Sequence, residues 1–148
     1  MDYQEKINQF KTKCREKKLK ITPQRLTIYK ALLADKTHPN PEKIHKAIKI
    51  ENPTITLATV YKTLETFEQN GLSSIVTNLH NNIRYDPITI QHHHIVCVKC
   101  KRVIDLFDDD LDEIEVPRSV TNGNNLVNYS VHFNVVCSGC KTEKIKTK

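Results

Sequence analysis

Apolar positions recur along this chain first with a helical period and then with an alternating one, and the change of period divides it. Between residues 3 and 17, Ile7, Phe10 and Cys14 fall at three- and four-residue steps among polar neighbours, which predicts a helix with one buried stripe. Thr22-Pro23 starts another helix: threonine can accept from an orphan amide, and proline lacks the amide that the first helical position would leave unpaired. That helix would turn Leu26, Tyr29, Leu32 and Leu33 inward. Asn40-Pro41 repeats the signal before a helix with Ile44, Ala47 and Ile48 on one face, and Thr56 opens a third through Val60, Tyr61, Leu64 and Phe67 until Gly71 stops it. Cys14 has no partner at metal-ligand spacing and reads as a small buried side chain.

After Gly71 the period shortens to two. Residues 72–76, a turn around Asn81-Asn82 and Ile83-Arg84-Tyr85 predict a hairpin; residues 94–97 and 103–107 predict two further strands. From residue 127 to 135 the alternation is strict, with Val127, Tyr129, Val131, Phe133 and Val135 on one side and Asn128, Ser130, His132 and Asn134 on the other, the pattern of a half-buried strand. Residues 108–115 form an acidic segment, expected as a short helix closed by Pro117. The fold class is therefore α+β.

Short helices joined by tight links, followed by a hairpin, form a helix-turn-helix of the winged type. In that arrangement the helix over residues 57–70 enters the major groove with its N-terminal part leading. Thr56, Thr59, Tyr61 and Lys62 then face bases or phosphates, and Arg25 and Arg84 contact the backbone. Thr56 can equally serve only as the helix cap, and Tyr61 can be half core. Charge points the same way. Residues 1–80 hold 14 Lys/Arg against 8 Asp/Glu, whereas residues 81–148 hold 9 of each, so the whole excess of +6 lies in the first half and suits a polyanion such as nucleic acid. The lysines at 11, 13, 17, 18 and 20 can also simply solvate a helix. No apolar run approaches the roughly 20 residues that span a bilayer.

The second half carries the metal chemistry. Cys97/Cys100 and Cys137/Cys140 are two Cys-x-x-Cys pairs far apart in sequence, as a tetrahedral thiolate site requires when four sulfurs converge on one zinc from two chain segments. Two disulfides are the competing reading. The opening Met1-Asp2-Tyr3-Gln4-Glu5-Lys6 shows no apolar export signal, which implies a reducing cytosol and favours zinc. Four thiolates close that sphere, so His92, His93 and His94 imply a second site with nitrogen and oxygen donors. So small a module gains stability from zinc and can bury its remaining apolar area by dimerising.

Lys20-Ile-Thr-Pro-Gln-Arg25, Leu57-Ala-Thr-Val-Tyr61, and His92-x-His94-x-x-Cys97-x-x-Cys100 with Val103-Ile-Asp105 and Cys137-x-x-Cys140 together resemble the ferric uptake regulator family of metal-dependent bacterial repressors. The resemblance implies a winged-helix DNA-binding domain over residues 1–86 with a hinge at its end, and an α/β dimerisation domain over residues 87–148 holding the structural zinc. It also implies a regulatory ion at the junction, with His38, Asp86, His92, His94 and Asp105 as ligands. Three imidazoles and two carboxylates suit Fe(II) or Mn(II), although zinc or copper can bind such a set more tightly in vitro. Taken singly, His38, Asp86 and Asp105 also read as ordinary surface or turn residues.

Aspartate at both 86 and 105 resembles the peroxide-responsive branch, in which Fe(II) and peroxide oxidise a ligand histidine, here His38 or His92, and the repressor leaves DNA. Many iron and zinc sensors of the family have a further site, whose positions hold Gln91, His93, Asp112 and Tyr129 here. With two nitrogen ligands absent it is expected to be weak or missing, leaving His93 and His132 solvent-facing or auxiliary. The expected partners are a palindromic double-stranded operator and a second copy of the chain, with tetramers possible. Rival readings are a metal-availability sensor indifferent to peroxide, a zinc-ribbon module without DNA specificity, and a metal-dependent hydrolase. The last lacks a His-Glu-x-x-His-like pattern and an open zinc site, so no enzyme is expected.

Overall fold

In the computed structural model, which describes residues 2–77 and 82–142, the helices begin where the sequence supplies caps. The first, α1 (Tyr3–Glu16), starts with the Glu5 carboxylate accepting the Asp2 N–H at 2.9 Å. Thr22 Oγ1 accepts the Arg25 amide at the start of α2 (Pro23–Ala34), Asn40 Oδ1 that of Lys43 at α3 (Pro41–Ile48), and Thr56 Oγ1 that of Thr59 at α4 (Leu57–Gln69). Gly71, at φ 66°, occupies the left-handed position that ends α4, and the Leu72 amide turns back to the Phe67 carbonyl at 2.8 Å.

The wing follows as β1 (Ser74–Thr77) and β2 (Arg84–Asp86), antiparallel with a bulge between Ile75 and Thr77. Of the expected turn, Asn81 lies outside the described residues. Helices and hairpin form a winged helix-turn-helix around one apolar core, to which α1 gives Ile7, Phe10 and Cys14; the Phe10 ring stacks on Tyr29 at 3.8 Å between centroids. Three details differ from the sequence pattern. Ile28 is fully buried and Leu26 only partly, so the stripe of α2 keeps Tyr29, Leu32 and Leu33 but is centred slightly toward Ile28. Ala47 is exposed, because Ile44 and Ile48, one turn apart, already fill the inner face of α3. Tyr61 is 42% exposed, since α4 turns Val60, Thr63, Leu64 and Phe67 inward and leaves the tyrosine at the flank of that stripe.

The chain divides into two units, Met1–Thr89 and Ile90–Lys148. The second is a three-stranded sheet, in which β3 (His93–Cys97) lies between β4 (Val103–Leu106), antiparallel, and β5 (His132–Val135), parallel. Short helices α5 (Asp109–Asp112), α6 (Arg118–Thr121) and α7 (Ser138–Lys141) complete it. The acidic helix is shorter than expected, capped by Asp108 and followed by a turn at Glu113, and Pro117 starts α6 rather than closing α5. The strand expected from residue 127 is confined to β5. It pairs on one side only; Val127 is 91% exposed, and His132, Phe133 and Asn134 are all exposed, so the strict alternation does not mark a face buried within this chain. No described helix is long and apolar enough to cross a membrane.

Candidate metal centres

Cys97 ends β3 and Cys100 follows in a tight turn closed by the Lys101 amide on the Cys97 carbonyl at 2.9 Å; Lys101 takes a left-handed φ of 63°. Cys137 caps α7, and the Cys140 amide returns to its carbonyl at 2.9 Å. The parallel pairing of β5 with β3 brings both turns to one end of the sheet, where Cys97 lies opposite Val135. There the four sulfurs lie within 4.8 Å of one another, with Cys100 and Cys137 3.8 Å apart. Four thiolates about 2.3 Å from one zinc stand roughly 3.8 Å apart along a tetrahedral edge, whereas a disulfide needs about 2.05 Å. All the cysteines are free. Amides of Cys137 and Cys100 pull the Cys97 thiol down to about 6, while Cys137 and the other neighbouring thiols push Cys140 up to about 12. A divalent cation in their midst would satisfy all four sulfurs at once, displacing the protons they otherwise share. These residues fit structural zinc.

The histidines before Cys97 separate by strand geometry, since successive residues face opposite sides. His94 lies directly opposite Asp105 in the β3–β4 ladder, and the Nε2 atoms of both His92 and His94 stand 3.6 Å from Asp105 Oδ1. His92 Nδ1 is 2.8 Å from the Ile90 carbonyl, which only accepts; Nδ1 therefore carries the proton and a neutral ring leaves its Nε2 lone pair toward the carboxylate. Two acceptors facing one another are stable with a cation between them, and 3.6 Å is the separation of two donors that share an ion at about 2.1 Å. Phe107 stacks against His92 at 5.3 Å and covers this face.

The first unit holds a smaller set. His38, in the left-handed conformation at φ 56°, places Nε2 3.2 Å from Asp86 Oδ2, while Asp86 Oδ1 accepts the Ile88 amide at 2.7 Å. Asp86, at 1% exposure, is among the most buried polar residues, and a buried carboxylate needs a cationic partner. A histidine and a carboxylate make an incomplete sphere for Fe(II) or Mn(II), as do the two histidines and one carboxylate of the second unit.

His93 departs from expectation. It is fully buried instead of facing solvent, with Nδ1 accepting the Val131 amide at 3.1 Å, so that Nε2 carries the proton and donates to Asp112 Oδ1 at 3.1 Å. Gln91 Nε2 donates to the same oxygen at 3.2 Å, and the Tyr129 hydroxyl bonds the carbonyls of Leu111 and Asp112. Both imidazole nitrogens are thus committed, and hydrogen bonds from Gln91 and Tyr129 stand where two nitrogen ligands would be needed. His132 is exposed, beside Ser130 at 3.1 Å.

The candidate DNA-facing side chains of the first unit are placed as follows. Thr56 Oγ1 is engaged in its cap and with Thr59 Oγ1 at 2.9 Å, and Arg25 Nη1 donates to the Lys20 carbonyl at 2.6 Å. Lys62 is exposed on α4 and Arg84 half-buried in β2. The Tyr61 hydroxyl donates to Glu42, a partner that no local sequence pattern marks, because the two stand on separate helices.

The model of the ferric uptake regulator family matches residues 16–134 of this chain. The peroxide-responsive repressor of Staphylococcus epidermidis is 31% identical over 125 residues, spanning 84% of this chain and 83% of that protein. Among solved structures, the Campylobacter jejuni peroxide stress regulator is similar at 33% identity, over 95% of this chain and 100% of that one, with a TM-score of 0.67. The Helicobacter pylori ferric uptake regulator aligns over 95% of both chains with a TM-score of 0.72 at 22% identity, a likeness of fold.

Proposed function

The chain belongs to the ferric uptake regulator family, and from that premise we propose that it is a metal-dependent transcriptional repressor, not an enzyme, which acts on DNA in the cytoplasm. It binds palindromic operators as a homodimer and releases them when peroxide oxidises a ligand histidine. The observation that carries this reading is the division of labour on one short sheet: a closed four-thiolate set at the end of β3, and a face of His92, His94 and Asp105 with nitrogen and oxygen donors. The first needs no exchangeable position, and the second, with three donors, leaves several.

In this reading one Fe(II) or Mn(II) is shared by His38 and Asp86 of the first unit and His92, His94 and Asp105 of the second, which couples the DNA-reading unit to the dimerising one. Metal then binds the DNA-competent arrangement better than the incompetent one, and DNA tightens metal binding by the same factor. A bound Fe(II) supplies the one-electron chemistry that turns peroxide into an oxidant beside the imidazoles. His38 and His92 are both buried, which restricts attack to small oxidants such as peroxide. The thiolates, closed around zinc, react more slowly.

The test is to load zinc-containing protein anaerobically with Fe(II) or Mn(II), add a slight excess of peroxide, and weigh tryptic peptides. One added oxygen on His38 or His92 with Fe(II) only, accompanied by release of duplex DNA selected by the protein from a random pool, is the expected result. Unmodified histidines with reversible, metal-dependent DNA binding would leave a metal-availability sensor.

A further inference from the structure

Glu42 is out of place on a surface read as facing phosphates. It is the second residue of α3, exposed, and it brings a negative charge to the helix pair that the proposed function sets against DNA. Its carboxylate accepts the hydroxyl of Tyr61, which lies in the second turn of α4, and that bond is the first cause raising the tyrosine above its ordinary pKa. Lys43, the neighbouring cation, is directed elsewhere, to Asp35 at 2.7 Å and Thr37 at 2.6 Å.

The start of α3 is itself anchored. Asn40 uses Oδ1 to cap the helix and Nδ2 to donate to Asn82 Oδ1 at 2.8 Å, ahead of β2; the Tyr85 amide of β2 donates to the Pro39 carbonyl at 3.1 Å. Glu42 therefore projects from a backbone tied to the wing. Around it Asn40, Pro41, Glu42, Tyr61, Asn82 and Ile83 line an open cleft of about 260 Å³, where the wing, α3 and α4 meet.

An exposed tyrosine with two free side-chain torsions would have to be ordered when it meets DNA, at an entropic cost paid from affinity. We infer that Glu42 is a positioning residue for DNA reading: its carboxylate fixes the Tyr61 ring in advance against the groove face of α4. This rests on the DNA-binding reading above and adds to it a residue that touches no base. The carboxylate repels phosphates, so its contribution lies in selectivity rather than in overall affinity.

The experiment uses the full chain loaded with zinc and Mn(II). Wild-type protein selects duplexes from a randomised pool, and affinities are then measured for the most enriched duplex and for a scrambled duplex of equal composition. The expected outcome is that Glu42→Ala, Tyr61→Phe and the double substitution each lower the ratio of the two affinities about tenfold, to one common level. Glu42→Gln, which keeps an acceptor, retains the ratio within about twofold. A full loss in Tyr61→Phe with none in Glu42→Ala would mean that the hydroxyl reads DNA itself, and overturns the inference. So does tightening of both duplexes alike in Glu42→Ala, which would make Glu42 only a repelling charge, or additive losses in the double variant. A wild-type protein that enriches no duplex sinks the DNA-binding reading instead.

Discussion

The two units are held together by different means. The contiguous apolar core runs from Ile7 to Tyr85 and lies wholly within the first unit, with stacked and edge-on rings of Phe10, Tyr29 and Phe67 at its centre. In the second unit the buried side chains are Val96, Cys97 and Val103 beside His92, His93 and His94, while Ile104, Phe107, Ile114 and Phe133 remain exposed. One unit is completed by its own packing; the other gathers four thiolates that fit zinc and leaves these apolar side chains uncovered. A regulator gains from that asymmetry, because the reading head keeps its shape while the sensing half answers to its ligands.

Removing zinc should break the comparison most severely. Structural zinc contributes on the order of 10 kcal/mol to folding in small metal modules, so chelation, or Cys140→Ser, is expected to unfold the second unit and leave the first intact. Limited proteolysis would read this as a surviving fragment ending near Thr89. Simultaneous loss of both units, or no loss, would contradict the division. The converse is Leu64→Ala, which opens a cavity beneath a fully buried residue of α4. About 2–5 kcal/mol should be lost from the first unit, measured by denaturant unfolding, with zinc content unchanged.

A smaller effect sharpens the account of the second unit. His93→Ala strands the Val131 amide and a bond to Asp112, and a buried donor left unpaired costs about 1–3 kcal/mol. Because both His93 nitrogens are committed, protein dialysed against excess zinc should retain about two ions per chain, one at each proposed sphere. A third ion, lost in His93→Ala, would show that the hydrogen bonds yield to metal.

Legibility in the sequence followed the range of the interactions. Caps at Thr22, Asn40 and Thr56 and the stop at Gly71 act within one turn, and α2, α3 and α4 begin where the caps stand while α4 ends just before Gly71. The Cys-x-x-Cys spacing carries its geometry in four residues, so the thiolate cluster could be read directly. His93 was misread because its burial depends on Asp112 and Val131, far along the chain, and an imidazole between two ligand histidines has no local mark of its own role. The strand expected over residues 127–135 failed for a related reason: alternation records which side chains prefer cover, and no described element of this chain supplies that cover. The contact between Glu42 and Tyr61 joins separate helices, and no local pattern marks it.

The smallest effect concerns pH and touches only the packed core. Burial, with the Cys14 thiol nearby, pushes Tyr29 from 10.0 up to about 12. The folded state therefore holds the phenolic proton more tightly than the unfolded chain does. Stability from this source is complete below pH 10 and is lost as the pH rises through the interval to about 12. After allowance for partial solvation the loss should be about 1–2 kcal/mol. Tyr29→Phe keeps the ring between Phe10 and Phe67 and removes the proton, so denaturant curves followed by helical circular dichroism should show a flatter alkaline limb than wild type. Acid acts on the other unit, where protons compete with zinc for the thiolates. A variant whose alkaline limb stays as steep as wild type would mean that the high-pH loss arises outside the aromatic core, and the contrast between a core failing in base and a metal module failing in acid would not hold.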